Sequence, residues 1–140
     1  MPKTKITFPD KSHFETKIPV RIDDINYGKH LSNDKYLSIA FEARFQFYRH
    51  FGVDEMDLGG VSTIMTHANI NYLIEAKYGD VLLVQMAIRD IRNASFEIVY
   101  KLVNTENDKV CALVETGIAC FNYATNKIGR VPESFKEKFA

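Results

Sequence analysis

The residues best suited to chemistry lie between Val20 and Tyr36, in the run VRIDDINYGKHLSNDKY. It holds adjacent carboxylates at Asp23 and Asp24, an amide at Asn26, then Gly28, an imidazole at His30, and an amide–carboxylate pair at Asn33 and Asp34. A carboxylate can take a proton from water, an imidazole can hold or pass one, and an amide can orient either group. A plain strand-to-helix link needs only a turn residue and a cap. This link carries several more polar groups, and it feeds a helix whose first amides favour negative charge.

Periodicity identifies the elements that must position these groups. Phe14, Thr16, Ile18, Val20 and Ile22 alternate with Glu15, Lys17, Pro19 and Arg21, which predicts a strand buried on one face. Pro19 has no N–H for a ladder, so that strand is expected at a sheet edge. From Tyr36 to Phe51, apolar residues recur at three- and four-residue steps, predicting a helix of about 16 to 19 residues. Ser32 or Asn33 is its expected N-cap, Asp34 sits in the favourable first turn, and Gly52 supplies a left-handed end.

Beyond Gly60 the period becomes two. Ile64, Thr66, Ala68, Ile70 and Tyr72 are expected on one face, with His67 alternating with Met65, Asn69 and Asn71 on a polar face turned to solvent or an interface. Further strands are expected around Leu82–Ile88, Phe96–Leu102 and Val110–Tyr123, in a four-strand meander, with Met65, Val81 and Val103 on outer faces. Ser134–Phe139 reads as a short charged helical tail. His13 and His50 read as surface residues. One helix cannot cover both faces of a parallel sheet, so the expected class is antiparallel α+β, with the aromatic-rich helix lying across a curved sheet.

A chain of 140 residues, 46% hydrophobic and 26% charged, reads as one globular domain spanning residues 1–140. Lys+Arg and Asp+Glu both total 18, so no bulk field attracts nucleic acid or an anionic membrane, and neither is an expected partner. Cys111 and Cys120 lie nine apart in one predicted strand, which points them to opposite faces as reduced thiols. No segment has the apolar length of a signal peptide or a membrane span, and the expected location is cytoplasmic. No Cys/His cluster has ligand spacing, so no metal is expected. No Gly-rich phosphate loop or serine elbow appears either.

The run Asp24-Ile25-Asn26-Tyr27-Gly28-Lys29-His30-Leu31-Ser32-Asn33-Asp34-Lys35-Tyr36 resembles the signature of 4-hydroxybenzoyl-CoA thioesterase-like proteins. In that family an Asp-x-Asp pair is followed by His-Val-Asn-Asn, an aromatic residue and the helix. Phe41-Glu42-Ala43-Arg44, Ile70-Asn71-Tyr72 through Gly79-Asp80, and Phe121-Asn122-Tyr123 through Pro132 are similar to later family segments in the same order. The resemblance covers about Lys17 to Glu133. It implies a hotdog fold, a five-stranded antiparallel sheet wrapped around one long central helix. It further implies cofactor-free hydrolysis of an acyl-CoA thioester to a carboxylic acid and CoA, by a homodimer or homotetramer with interfacial sites.

The departure is at Asn26, which occupies the place of the family's second Asp, the usual catalytic carboxylate. An amide cannot act as a general base. Three readings follow from the resemblance. Asp24, or in second place Asp23, reaches the thioester through a water; or Asp34 supplies the carboxylate; or Asn26 only orients water, and the protein binds acyl-CoA or fatty-acyl groups without catalysis. His30 would hold water or a loop carbonyl, and Gly28, Asn33 and Tyr36 would line the substrate. Arg89 and Lys127, with Arg92 and Arg130, are candidates for the CoA phosphates. Taken without the family, Asp24 pairs with Arg21, His30 packs a loop, and Asn33 and Asp34 cap the helix. Glu42 and Arg44 then form a buried pair.

Overall fold

The computed structural model describes residues 5–140; the expected domain start at residue 1 lies outside them. Strand β1, Phe14–Pro19, is followed by a single 3-10 turn at Ile22–Asp24 and by helix α1, Lys35–His50. Strands β2 (Ser62–Tyr72), β3 (Val81–Arg89), β4 (Ser95–Asn104) and β5 (Lys109–Asn122) come next. A two-residue strand, β6 (Lys127–Ile128), folds back on β5, and helix α2, Glu133–Phe139, closes the chain. The class is α+β with an antiparallel sheet, as the sequence implied.

The order across the sheet is β1-β3-β4-β5-β2, every pair antiparallel. Only β3, β4 and β5 form a meander. β2 crosses to the far side to pair with β5, which corrects the four-strand meander. Periodicity marks a strand but not its neighbour. β1 is an edge, as Pro19 requires. Its alternation ends at Val20, because the chain turns at Arg21 and leaves Ile22 exposed at 67%.

The core lies between α1 and one face of the sheet. Tyr36, Ile39, Ala40, Ala43, Phe47 and Tyr48 are buried against Leu82, Val84, Met86, Ile98, Tyr100, Leu102 and Val114. Each large apolar side chain so buried contributes roughly 1.5–3 kcal/mol, and the two alanines let helix and sheet approach closely. The helix ends as expected: Gly52 has φ 75° and donates to the Arg49 carbonyl at 3.1 Å. Its start differs. Asp34 holds the N-cap position with no side-chain cap bond, and Ser32 instead donates its hydroxyl to Asp34 Oδ1. α2 is more than a charged tail, since Phe135 and Phe139 are buried against Phe96 and Phe47, with ring centroids 4.7 and 5.4 Å apart.

Two bulges overturn two parity readings. On β2, Met65 faces Ile118 and His67 faces Gly117, so Thr66 is an extra residue. Ile64 therefore does not share a face with Ala68, Ile70 and Tyr72, and Met65 leaves the outer face carrying His67, Asn69 and Asn71. On β5, Leu102 faces Ala112 and Val103 faces Val110, making Cys111 the extra residue. It joins Cys120 in the same core cluster. Both thiols are free, and burial pushes Cys120 up to about 11. A residue inserted into one strand reverses the alternation beyond it.

His13 is exposed, as expected, yet its ring is tied to its neighbours. Its Nδ1 accepts the Ile88 N–H at 3.0 Å, and its ring packs edge-on against Phe139. Partial burial holds the imidazole below its ordinary value near 6.5. The unfolded chain thus binds this proton more readily. The contact's contribution is complete above the ordinary value and is lost as pH falls through the folded one. Urea midpoints measured across pH are expected to drop below about pH 6.5. His13→Asn, which keeps a neutral acceptor, flattens that part of the curve; an identical slope in the variant would remove His13 as the cause.

Candidate functional site

The polar link folds on itself before the helix begins. Asp24 is 2% exposed. Its Oδ2 accepts the Arg21 backbone N–H at 2.9 Å, its Oδ1 meets Arg21 Nη2 at 3.1 Å, and its carbonyl accepts Ser32 N–H at 2.8 Å. Burial alone would raise its pKa. The hydrogen bonds and charge of Arg21, with Lys35 behind them, outweigh it and hold the carboxyl below the usual range. One residue thereby ends β1, closes the loop and sets where α1 starts.

Between those clasped ends, Asn26 organises the tip. Its Oδ1 accepts Gly28 N–H at 2.9 Å and His30 N–H at 3.2 Å, while its own N–H donates to the His30 carbonyl. Lys29 takes the left-handed conformation, φ 65°, so the unusual backbone is one residue past Gly28. Lys29 N–H is bound by the Asn26 carbonyl and Leu31 N–H by the Ala76 carbonyl. The amides of Gly28, Lys29, His30, Leu31 and Ser32 are all engaged within the chain. Among the described residues, Asn33 is the first after Gly28 whose N–H has neither a backbone nor a side-chain acceptor.

The end of β2 and the segment after it complete the site. Tyr72 donates its hydroxyl to the Asn33 carbonyl at 3.0 Å, and its ring meets Tyr36 edge-on at 5.2 Å. His30 Nε2 lies 3.0 Å from Glu75 Oε2. A recess of about 290 Å³ results, lined by Asn26, His30, Asn33 and Tyr36 together with Tyr72 and Glu75. Four residues singled out from sequence converge here.

The others do not. Asp24 lines a separate groove of about 380 Å³ between β1 and α1, with Arg21, Ser38, Glu42 and Gln46. Asp34 is exposed at the start of α1. The hydrogen bond from Ser32 outweighs what little burial it has and keeps its carboxyl below the ordinary range. Arg89 is committed elsewhere: its guanidinium bonds Glu97 and Glu115 on the opposite face of the sheet, which leaves a CoA-phosphate role without geometric support. Lys127 is exposed on β6, paired through its backbone with Asn122. Arg44 binds Glu55, with Nη2 to Oε1 at 2.6 Å, rather than Glu42.

Tyr72 and Glu75 were not selected as site residues by sequence. They lie some forty residues beyond the loop in the chain, and only the antiparallel return of β2 brings them back. The one available signal was Ile70-Asn71-Tyr72, read there as a strand ending.

A thioesterase-like superfamily model matches residues 20–139, nearly the whole chain. The chain belongs to the thioesterase-like superfamily. Solved structures agree on the hotdog fold. Slr0204, a 1,4-dihydroxy-2-naphthoyl-CoA thioesterase from Synechocystis, superposes with a TM-score of 0.81 at 20% identity, over 89% of this chain and 93% of its own. YbaW, a probable thioesterase from Escherichia coli, gives 0.78 at 22%, over 90% and 96%. SAV2348 from Staphylococcus aureus, solved in complex with CoA, gives 0.81 at 19%, over 96% and 85%. At such identities the likeness is one of fold. A search of the curated proteins finds no match. Among the described residues, no helix of this superfamily member is long and apolar enough to cross a membrane.

Asn26 acts in this geometry as an acceptor for two backbone amides. Asn26→Ala is expected to destabilise by about 0.5–1.5 kcal/mol for each bond lost, measured by urea unfolding. Asn26→Asp retains the acceptor and is expected to match the wild type. Equal stability of Asn26→Ala would show that the loop does not depend on this amide.

Proposed function

We propose that this thioesterase-like protein hydrolyses an acyl-CoA thioester to a carboxylic acid and free CoA, with Asp34 as general base. One observation carries the reading: an ionised, exposed carboxylate and an uncommitted backbone N–H occupy adjacent positions, Asp34 and Asn33, at the start of α1. The thioester carbonyl lies in the recess beside Tyr36 and Tyr72, with its oxygen toward Asn33 N–H. Asp34 takes a proton from water as the water oxygen bonds the carbonyl carbon. The C–S bond then breaks, and the sulfur leaves as CoA thiolate. A donor aimed at the developing oxyanion is worth about 2.7–4 kcal/mol, and the positive end of α1 acts in the same sense. Asp24 is excluded from this role because Arg21 engages both of its oxygens.

The CoA-bound relative supports CoA as the carrier in this chain also. We further infer a single domain over residues 1–140 that works in the cytoplasm, where two unpaired cysteines remain reduced, and that assembles as a homodimer or as a homotetramer built from two dimers. The edge strand β2 favours the dimer. It is eleven residues long and unpaired on its outer side, with Ile64 and Met65 exposed and Tyr72, Leu73 and Ile74 following. Such an edge is a template for pairing. β1, the other edge, carries Pro19 and exposed Glu15 and Lys17 instead.

Incubation with a panel of acyl-CoAs while trapping free thiol tests the activity. Turnover is expected with at least one, and Asp34→Ala is expected to lower kcat by about 10²–10⁴ with folding unchanged by circular dichroism. Saturable acyl-CoA binding with no thiol release from any member would establish the alternative, a non-catalytic acyl-CoA or fatty-acyl binding protein. Sedimentation is expected to show a dimer for the wild type and a shift toward monomer for Met65→Arg; a monomeric wild type would refute the assembly.

A further inference from the structure

The outer face of the sheet carries a cluster that thioester chemistry does not use. The strand register aligns His67 of β2, Gly117 of β5, Glu97 of β4 and Arg89 of β3 in one row. The neighbouring row contains Asn69 and Glu115. Gly117 leaves a gap between His67 and Glu97, and the imidazole fills it. A Cβ on Gly117 would stand 2.2 Å from His67 Cε1 and 2.4 Å from Nδ1. Thr66, the bulged residue, brings its Oγ1 to 3.2 Å from His67 Nδ1. With Nδ1–H donated to that hydroxyl, Nε2 keeps its lone pair, and Glu97 Oε2 lies 3.9 Å from it.

One ligand atom each from His67, Glu97 and Glu115 lies within 4.8 Å of the others. His67 and Glu97 border a recess of about 190 Å³ shared with Asp90, Arg92 and Ser95. Asn69 Nδ2 donates to Glu115 Oε1 at 2.8 Å and fixes that carboxylate. Each local choice is unfavourable to the sheet: a bulge interrupts the ladder, a mid-strand glycine weakens it, and two carboxylates repel. Arg89 bonds both glutamates and balances only one of their charges, while Asp90 adds a third carboxylate 3.9 Å from it.

We propose that His67 Nε2, Glu97 and Glu115 bind a divalent transition-metal ion of the zinc type over Gly117, displacing Arg89, the internal counter-ion. One imidazole and two carboxylates are donors zinc accepts, and a water completes a tetrahedral set. The displaced guanidinium retains the Thr7 carbonyl, 2.8 Å from Nη1, and Asp90. The sequence shows no metal-ligand spacing because the three donors come from three different strands.

Zinc titration of the untagged protein, with cobalt(II) as the absorbing substitute, tests this. One equivalent per chain is expected, with a raised Tm and visible cobalt bands. His67→Ala, at a residue whose side chain is half exposed, leaves the fold intact and weakens binding by at least about tenfold. Gly117→Ala pushes the ring aside and weakens it likewise. Arg89→Gln removes the competing charge and tightens it; unchanged or weaker affinity there overturns the counter-ion role. No saturable zinc binding by the wild type, or binding unaffected by His67→Ala, overturns the site.

Discussion

One buried carboxylate holds the two ends of the polar link together, and the candidate site depends on that clasp. Asp24 takes the Arg21 amide and guanidinium with its side chain and the Ser32 amide with its carbonyl. Without the first contact β1 would lack its turn, and without the second the chain would not re-enter at the start of α1. A desolvated carboxylate needs such partners, because an unpaired one would sooner take up a proton. Its burial therefore makes Asp24 a structural anchor, whereas the Asp34 carboxylate stays exposed.

The same division of labour runs through the loop. Five consecutive amides, from Gly28 to Ser32, are bound by Asn26, Ala76 and Asp24. What remains at the helix start is the uncommitted Asn33 N–H, at a recess walled by Tyr36 and Tyr72, with the exposed Asp34 carboxylate next to it in the chain. Rigid surroundings and a few free groups are what a preorganised site requires. The two faces of the sheet are also divided. The inner face packs α1. On the outer face, Ile6 packs with Ala87 and Val99, beside the His67–Glu97–Glu115 cluster.

Much of the fold was legible because burial imposes a period. The core residues of β3 and β4 alternate without interruption, so their inner faces were read correctly, and α1 lies where helical spacing placed it, although its Phe45 is exposed and Phe47 is buried instead. The reading failed where one residue was inserted. Thr66 and Cys111 carry no mark of a bulge in their own side chains, and each reverses the faces beyond it. His30, Asn26, Asn33 and Tyr36 were legible as a group because they are close in sequence. Tyr72 and Glu75 were not, since their contribution arises from a strand pairing that no local pattern records.

Sequence by itself determined the class of the fold, the place of α1, the edge position of β1 through Pro19 and the run that supplies four residues of the candidate recess. Those properties follow from local sterics and from the spacing of apolar residues, which act over a few positions. Tertiary structure alone decided that β2 lies beside β5, that Asp24 is clasped while Asp34 is open, that Arg89 faces away from the recess, and that His67 meets two glutamates. These depend on hydrogen-bond register between distant strands, where a shift of one residue exchanges the two faces of the sheet.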